Sequence, residues 1–509
     1  EATADNNTGV GISALKENTT ASNNTAIGAS ALALNTTGAF NTAVGANALD
    51  ANTTASTNTA VGYAAAGANT TGASNSVLGY AALQINTTGA SNTAFGQLAM
   101  QQNTTASNNT AVGNEALRYN TTGTENVAIG ANALDANTTA DGHVAVGFDA
   151  MGLNTTGTTN TAVGNSSMQQ NTTGSNNTAV GNQSLKANTT ASQNTAIGKS
   201  ALQRNTTGAA NTAVGHNTLE FNTTSDNNTA VGNNCMQQNT TGTNNVAMGD
   251  GALNANTTAD NNTALGKGAL LVNTTGANNV AVGASALDAC TTGNGNNACG
   301  MESLTAVTTG SNNNGFGRES LAVVTTGGTN CAFGGSSLQS VTTGSNNIGI
   351  GHDSGRSGSP SGNITTGSNN ICLGDNSISN LFCADTSISS SDSRDKTDIA
   401  DFSIGLAWIN ALRPVTYKWD RRTWYGTDSE PYGTPDGSKK RTKTHIGFLA
   451  QEALEVEKAN GYGTSNDDSL VVNLTDDGMS YGMKYERLVP ILVNAIKELS
   501  AKVTALEAG

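Results

Sequence analysis

Apolar and polar residues follow a fixed pattern that repeats at every seventeenth position over most of the chain. A Gly preceded by an apolar residue falls at Gly11, at Gly28 and at each such step onward to Gly351, and a last copy, Gly374, comes six positions later than the period requires. Each copy reads approximately N-T-T-[AG]-x-x-N-x-A-Φ-G-x-x-[AS]-L-x-x, where Φ is apolar. A unit this short cannot bury a core alone, so the period predicts coils that stack and cover one another.

Two columns of large apolar residues emerge when the copies are aligned. One column immediately precedes the Gly, as at Ile27 and Val44, and the other lies four residues after it, as at Leu32 and Leu49. We expect both columns to point into one continuous core, so that an Asp at Leu202 or Val214 would be a buried charge.

The polar columns favour stacked strands over helices. Asn opens the N-T-T motif and recurs four residues before the Gly, where His143 is the exception. Identical Asn side chains in successive coils can form hydrogen-bonded amide ladders, and Asn and Gly both suit the left-handed backbone of tight turns. The frequent Gly, Asn and Thr leave no persistent helical stripe. Toward the C-terminus the N-T-T Asn becomes apolar, which indicates either a thicker core or contacts between chains; these replacements are Cys290, Val307, Val324, Val341 and Ile364.

The N-x-A-Φ-G unit, clearest at Asn126–Gly130, resembles the head repeats of YadA-type trimeric autotransporter adhesins. That resemblance covers residues 7–374 and implies a parallel β-roll built from three chains around one axis. The fold class expected is therefore mostly β, with a trimeric parallel β-solenoid shaft of about 22 coils and a small α+β domain after it.

Composition changes abruptly after residue 375. All three Trp and four of the five Pro lie beyond that point, which predicts a separate globular domain with its own core. We place the shaft at residues 1–374, a connecting segment at 375–390 and the C-terminal domain at 391–509.

Four ordered motifs in the C-terminal domain resemble the endosialidase-type intramolecular chaperone family, which ends many phage tail fibres and tailspikes. The motifs are Ser391–Ile399, Leu412–Trp419, Ile446–Glu452 and Tyr485–Pro490. The resemblance implies a domain that directs trimerisation and folding and then cuts itself off.

The resemblance also implies the residues of that self-cleavage. Ser391 would be the nucleophile and Lys396 the general base, and the cut would fall between Ser390 and Ser391. A Ser hydroxyl needs an adjacent base, and a desolvated Lys can serve. Asp395 stands where the family has an apolar residue, and its carboxylate would favour the charged amine and weaken this base. Whether the chain is an enzyme in this limited sense stays open, and no metabolic activity is expected.

The last helix carries a heptad stripe that favours oligomerisation. Apolar residues follow alternating steps of four and three, with Val or Ile at a and Leu at most d positions; they are Tyr485, Val489, Leu492, Ile496, Leu499, Val503 and Leu506. The alternative is that this stripe packs onto the core of its own domain.

Charge and cysteine usage limit the remaining functions. Residues 1–390 hold 8 basic and 19 acidic residues, a net charge of −11, and such a shaft repels phosphate backbones, so no nucleic-acid partner is expected. None of the six cysteines forms a CxxC pair and no His is spaced for zinc, so we expect no metal and no cofactor. No apolar run is long enough to predict a membrane span.

The sequence therefore predicts a structural fibre that mediates host attachment. Its expected partners are two further copies of itself, a cell-surface receptor or glycan that no motif identifies, and an anchor upstream of Glu1. The expected location is a virion tail fibre, with a bacterial surface adhesin as the alternative. A polysaccharide depolymerase is the less favoured reading, because residues 1–375 contain no Trp and few Tyr to line a sugar cleft.

Overall fold

A parallel ladder of short strands runs through the repetitive part of the chain. The structure, a computed structural model, describes residues 4–378, 396–426, 430, 432–465, 467–474 and 481–508. It divides into one unit of residues 1–354 with 368–373 and a second unit of residues 355–367 with 374–509. The strands of the first unit, β1 to β22 in chain order, are Thr8–Val10, Thr25–Ile27, Thr42–Val44, Thr59–Val61, Ser76–Leu78, Thr93–Phe95, Thr110–Val112, Val127–Ile129, Val144–Val146, Thr161–Val163, Thr178–Val180, Thr195–Ile197, Thr212–Val214, Thr229–Val231, Val246–Met248, Thr263–Leu265, Val280–Val282, Asn297–Cys299, Asn314–Phe316, Cys331–Phe333, Ile348–Ile350 and Ile371–Leu373.

Each strand pairs in parallel with the next strand along the chain. Thr8 lies beside Thr25 and Ala26 beside Ala43, so the register equals the period of the sequence. The last pair, Ile348 beside Ile371, spans the longer step that contains the six extra residues. The predicted parallel β-solenoid with coils of this period is confirmed.

Only one of the two expected apolar columns lies in the core. Leu32, Leu49 and Leu202 are fully buried, and the central strand residue of each coil, usually Ala, is buried beside them. The column before the Gly is half-exposed instead, so the expectation that Val214 points inward is wrong for the single chain. Successive residues of a strand point to opposite faces, so turning the small Ala inward turns both of its neighbours outward.

The Asn ladders form as expected in the N-T-T column. The Asn35 amide donates to Asn18 Oδ1 at 2.9 Å, and the Asn52 amide donates to Asn35 Oδ1 at 2.8 Å. In the second Asn column, four residues before the Gly, the side chains bond mainly to the backbone. For example, the Asn41 backbone N–H donates to Asn24 Oδ1 at 2.9 Å. These bonds satisfy amides that the solenoid buries completely.

Apolar residues replace the N-T-T Asn inside the last coils. The five replacements are buried within their own coil; they are Cys290, Val307, Val324, Val341 and Ile364. Of the two alternatives, a larger apolar core or contacts between chains, the single chain therefore shows the first.

The buried Leu column adopts a left-handed backbone. Leu32 has a φ of 51°, Leu49 of 49° and Leu202 of 51°, and Ser30, two residues before Leu32, has a φ of 57°. Non-Gly residues rarely take positive φ. Most coils contain three such residues, since Asn23 before strand β2 also has a φ of 62°. They turn the backbone sharply, which allows the coil to close within one period of the sequence.

The second unit is a small α+β domain. Its described elements are α1 (Leu406–Ala411), β23 (Val415–Tyr417), a 3-10 helix (Arg422–Tyr425), β24 (His445–Gly447), α2 (Ala450–Ala459), β25 (Val472–Leu474), β26 (Tyr481–Met483), a 3-10 helix (Tyr485–Arg487) and α3 (Leu488–Glu507). Strands β23 and β24 pair antiparallel, as do β25 and β26. None of the helices in the described part of the chain has the length and apolar character needed to cross a bilayer.

Candidate chaperone and processing site

One small core holds the elements that carry the C-terminal motifs. Trp408 of α1 is 2% exposed and packs with Leu412, Ala453, Val472 and Ile491, which come from segments far apart in the sequence of the domain. The Leu412–Trp419, Ile446–Glu452 and Tyr485–Pro490 motifs therefore belong to one folded body.

Polar contacts tie the same motifs to one another. The Arg413 guanidinium meets the Glu452 carboxylate with both Nε, at 3.1 Å from Oε2, and Nη2. The Phe448 N–H donates to the Tyr485 hydroxyl at 3.1 Å. Both contacts are largely exposed, so they order the motif residues more than they stabilise the fold.

A buried carboxylate, which sequence reasoning missed, organises the segment before β25. Glu457 in α2 is fully buried and accepts hydrogen bonds from the backbone N–H groups of Leu470 at 3.0 Å, Val471 at 2.6 Å and Val472 at 2.9 Å. Ser469 Oγ donates to the same carboxylate at 3.2 Å. In the sequence Glu457 is one of several Glu in an amphipathic helix, so only the tertiary structure distinguishes it.

Helix α3 has two apolar faces with different surroundings. Leu488, Ile491 and Ala495 are buried, and the helix packs against α1 through this side. The heptad stripe lies on another side and is exposed: Ile496 is 65% accessible and Leu499 51%. The alternative that the stripe packs onto the core of its own domain is therefore wrong.

Residues before the expected cut contact residues after it within the second unit. Arg421 Nη1 donates to Asn376 Oδ1 at 3.1 Å, and Asn376 Nδ2 donates to Thr423 Oγ1 at 3.4 Å. The Asn376 N–H also donates to the Gly358 carbonyl at 2.7 Å. The Arg421 guanidinium in turn lies 4.3 Å from the centre of the Trp419 ring. These contacts, all within the second unit, join Gly358 and Asn376 to Arg421 and Thr423 without using the peptide bond at Ser391.

Of the expected processing residues, only Lys396 is described. It is exposed, at the start of the described part of the domain. Ser390, Ser391 and Asp395 lie outside the described residues, so the pairing of Ser391 with Lys396 stays a prediction.

Comparison with known proteins bears on this domain. Residues 391–462 match a family model described as the chaperone of endosialidase. The match includes the first three motifs and ends before the fourth, so it confirms the resemblance inferred from those motifs. No curated protein and no solved structure matches the chain. A parallel β-solenoid followed along the chain by a region that matches this chaperone family is consistent with a phage tail fibre.

Proposed function

From the chaperone region that follows the solenoid, we propose that this chain is a host-attachment fibre whose C-terminal domain trimerises it. The proposed location is a phage tail, with the surface of a bacterium as the alternative. The proposed partners are two further copies of the chain, a receptor or glycan on the host cell and an anchor that connects the fibre to the particle. Residues 1–374 are the proposed shaft and residues 391–509 the proposed chaperone.

The exposed heptad stripe of α3 is the observation that carries this proposal. The stripe places Val489, Ile496 and Val503 at a positions and Leu492 and Leu499 at d positions, and all five side chains are more than 40% accessible. A 20-residue helix that already packs on its domain through another face presents these residues for a second purpose. Sequestering them in a coiled coil between copies removes apolar surface from water.

The solenoid supplies the reason for a chaperone. Successive strands differ little, since T-A-V or T-A-I recurs in most of the coils from β2 to β14. Copies of such a shaft can associate one coil out of step at little energetic cost, because each coil resembles its neighbour. A globular trimeric clamp at one end sets the register for all three chains.

Self-cleavage would make assembly irreversible. In the proposed reaction Lys396 accepts the hydroxyl proton of Ser391 as that oxygen adds to the carbonyl carbon of Ser390. The bond to the Ser391 nitrogen then breaks, Lys396 returns the proton to this nitrogen, and one water hydrolyses the resulting ester. The Asn376 contacts with Arg421 and Thr423 would hold the two products together after the cut.

Mass measurements on purified protein test both parts of the proposal. Under denaturing conditions the wild-type chain is expected as two fragments that end at Ser390 and begin at Ser391, whereas Ser391→Ala and Lys396→Ala are expected as one 51.1 kDa chain. Native light scattering of Ser391→Ala is expected to give three times that mass. If the wild-type chain stays intact, Ser391 and Lys396 do not cleave it. Asp395→Leu then tests whether the Asp395 carboxylate is the cause.

Helix α3 is tested separately with a matched pair of substitutions. Ile496→Asp puts a charge into the stripe, whereas Ala501→Asp puts the same charge at an exposed f position of the same helix. We expect only Ile496→Asp to reduce the trimer, by at least tenfold in the fraction assembled. Equal behaviour of the two variants would refute the role of the stripe, and a monomeric wild-type chain would refute the trimer itself.

A further inference from the structure

A cavity of about 370 Å³ lies beside the 3-10 helix Arg422–Tyr425 and the start of strand β24. Small-molecule sites in proteins occupy about 300 to 1,000 Å³, so this cavity has the size of a ligand site. Two indole rings and four nitrogen-bearing side chains dominate its lining; they are Trp419, Trp424, Arg421, Arg441, Lys443 and His445. The other lining residues belong to the same unit of the structure. We call it the Trp–Arg cavity.

The positive charge of the Trp–Arg cavity has no counterpart in its lining. None of the described residues that line it is acidic, and segment 437–445 carries four Lys or Arg and no Asp or Glu. The acidic residues nearest in sequence bond elsewhere, since Asp420 accepts the Tyr425 hydroxyl at 2.7 Å and Asp436 accepts the Ser438 N–H at 2.8 Å. In a chain with a net charge of −14, this is a local positive patch inside a concave site.

The two Trp rings hold the guanidinium groups by their faces. The Arg421 guanidinium lies 4.3 Å from the centre of the Trp419 ring, and that of Arg441 lies 5.1 Å from the centre of the Trp424 ring. Stacking of this kind leaves the N–H groups along the edge of the guanidinium free to donate. Arg421 Nη1 donates to Asn376, but the buried Arg421 Nε has no hydrogen-bond partner among the described residues. A buried donor without an acceptor is costly, so an acceptor from outside the chain would stabilise it.

The two guanidinium groups also repel each other. Burial lowers the pKa of Arg421, and the positive charge of Arg441 lowers it further. By contrast, Arg118, Arg318 and Arg413 each form an ion pair with a Glu of the chain. An anion between Arg421 and Arg441 would replace their repulsion with two attractions.

We infer that the Trp–Arg cavity binds an anionic saccharide, with a carboxylate or phosphate group on Arg421 and Arg441 and the sugar ring against Trp419. The planar fork of N–H groups on Arg matches the oxygens of both anionic groups. Trp419 is 37% accessible and offers a flat apolar surface on which the C–H groups of a sugar ring can pack. The choice of a saccharide rests on the proposed attachment to a host cell, whereas the anion site rests on the cavity alone.

Calorimetric titration of the full-length Ser391→Ala chain tests the ligand class. The probes are tetragalacturonic acid, its fully methyl-esterified form with the same rings and no charge, and glucose 6-phosphate. We expect at least one of the two anions to bind with a Kd of about 1 mM or less, and the ester to bind about tenfold more weakly or not at all. The anion that binds more tightly identifies carboxylate or phosphate as the preferred group. Equal affinities for the acid and its ester, or no binding of either anion at about 10 mM, would overturn the inference.

A matched pair of substitutions locates the binding. Arg441→Gln removes one charge from the lining, whereas Lys440→Gln removes the same charge from the adjacent exposed residue, which lies outside the cavity. We expect Arg441→Gln to weaken anion binding about tenfold or more and Lys440→Gln to weaken it less than about twofold. Lys443→Gln repeats the test at a second lining residue if Arg441→Gln fails to fold. Equal losses in the lining and control variants would show attraction by overall charge and overturn the site.

Binding and assembly are measured separately, which distinguishes this inference from the proposed function. A chain that trimerises but binds neither anion overturns the Trp–Arg cavity as a ligand site and leaves the proposed fibre intact. A monomeric chain that binds an anion through Arg441 overturns the proposed trimer and leaves the anion site standing.

Discussion

Leu202 combines two opposing effects that substitution can separate. Its side chain is fully buried between Leu185 and Leu219 of the adjacent coils, and its backbone is left-handed with a φ of 51°. Truncating a buried Leu to Ala costs about 3 to 5 kcal/mol, because the transfer energy is lost and a cavity remains. Ala keeps the backbone strain, whereas Gly removes it, which is worth about 1 kcal/mol at a left-handed position.

We therefore expect Leu202→Gly to be more stable than Leu202→Ala by about 1 kcal/mol, the reverse of the usual order in strands and helices. Hydrogen exchange is the suitable assay, because a stack of coils does not unfold in two states and exchange measures opening locally. The Leu202 N–H donates to the Thr218 carbonyl at 3.0 Å, and the Asn205 N–H donates to the Leu202 carbonyl at 3.1 Å, so peptides over this coil report the change.

The expected effect is large enough to measure. Leu202→Ala should speed exchange in its coil by about 100- to 5,000-fold, and Leu202→Gly should exchange about fivefold more slowly than Leu202→Ala. Lys199→Ala, at an exposed position of the same coil, should change exchange by less than about threefold. An Ala variant as well protected as Lys199→Ala would remove this column from the core, and a Gly variant less protected than the Ala variant would refute the strain argument.

Four further predictions concern single positions. Gly198→Ala should lower the free energy of opening its coil by about 3 kcal/mol or more. The reason is that the φ of Gly198 is +131° and the new Cβ would lie 2.2 Å from the carbonyl oxygen of Gly215 in the next coil. Gly251→Ala should cost only about 1 kcal/mol in the same exchange assay, since its φ of +66° is one that Ala and Ser adopt in other coils. Burial lowers the pKa of His143, whose Nδ1 accepts the Asn160 N–H at 3.2 Å. The coil that contains His143 should therefore be fully stable above the unfolded pKa of about 6.5. It should lose stability as the pH falls below that value, because the unfolded chain then binds a proton that the folded coil does not. His143→Asn should abolish this loss in melting curves between pH 7.5 and 5. Glu457→Gln should destabilise the C-terminal domain by about 2 kcal/mol, because one amide oxygen cannot replace a carboxylate that accepts four hydrogen bonds. Tryptophan fluorescence reports the unfolding of this domain selectively, since all three Trp lie in it. An unchanged midpoint in that fluorescence transition would contradict the role given to Glu457.

Only the part of the candidate site that lies within sequence motifs could be predicted. The match over residues 391–462 follows the motifs that the sequence displays, because those residues were recognisable in linear order. Glu457 and Asn376 were not predicted, since their partners lie in segments remote from any motif. The heptad stripe of α3 was found from its spacing, but spacing alone left open whether the domain core or another chain covers it.

The sequence by itself determined the period, the parallel stacking of the coils and the N-T-T Asn ladder. It could do so because each coil contacts mainly its two neighbours, so that the one-dimensional repeat and the three-dimensional stack carry the same information. A residue such as Asn35 meets its own equivalents, Asn18 and Asn52, whatever the shape of the coil.

Only the tertiary structure decided which side of each strand faces inward and how the coil closes. Val214 and Leu202 are equally apolar in the sequence, but the narrow coil admits the small central Ala of the strand and turns Val214 outward. Leu202 enters the core from a left-handed backbone that its residue type disfavours, because burial of a Leu side chain contributes about 1.5 to 3 kcal/mol and exceeds a strain of about 1 kcal/mol. Local preference was overruled where packing offered more free energy than the backbone lost.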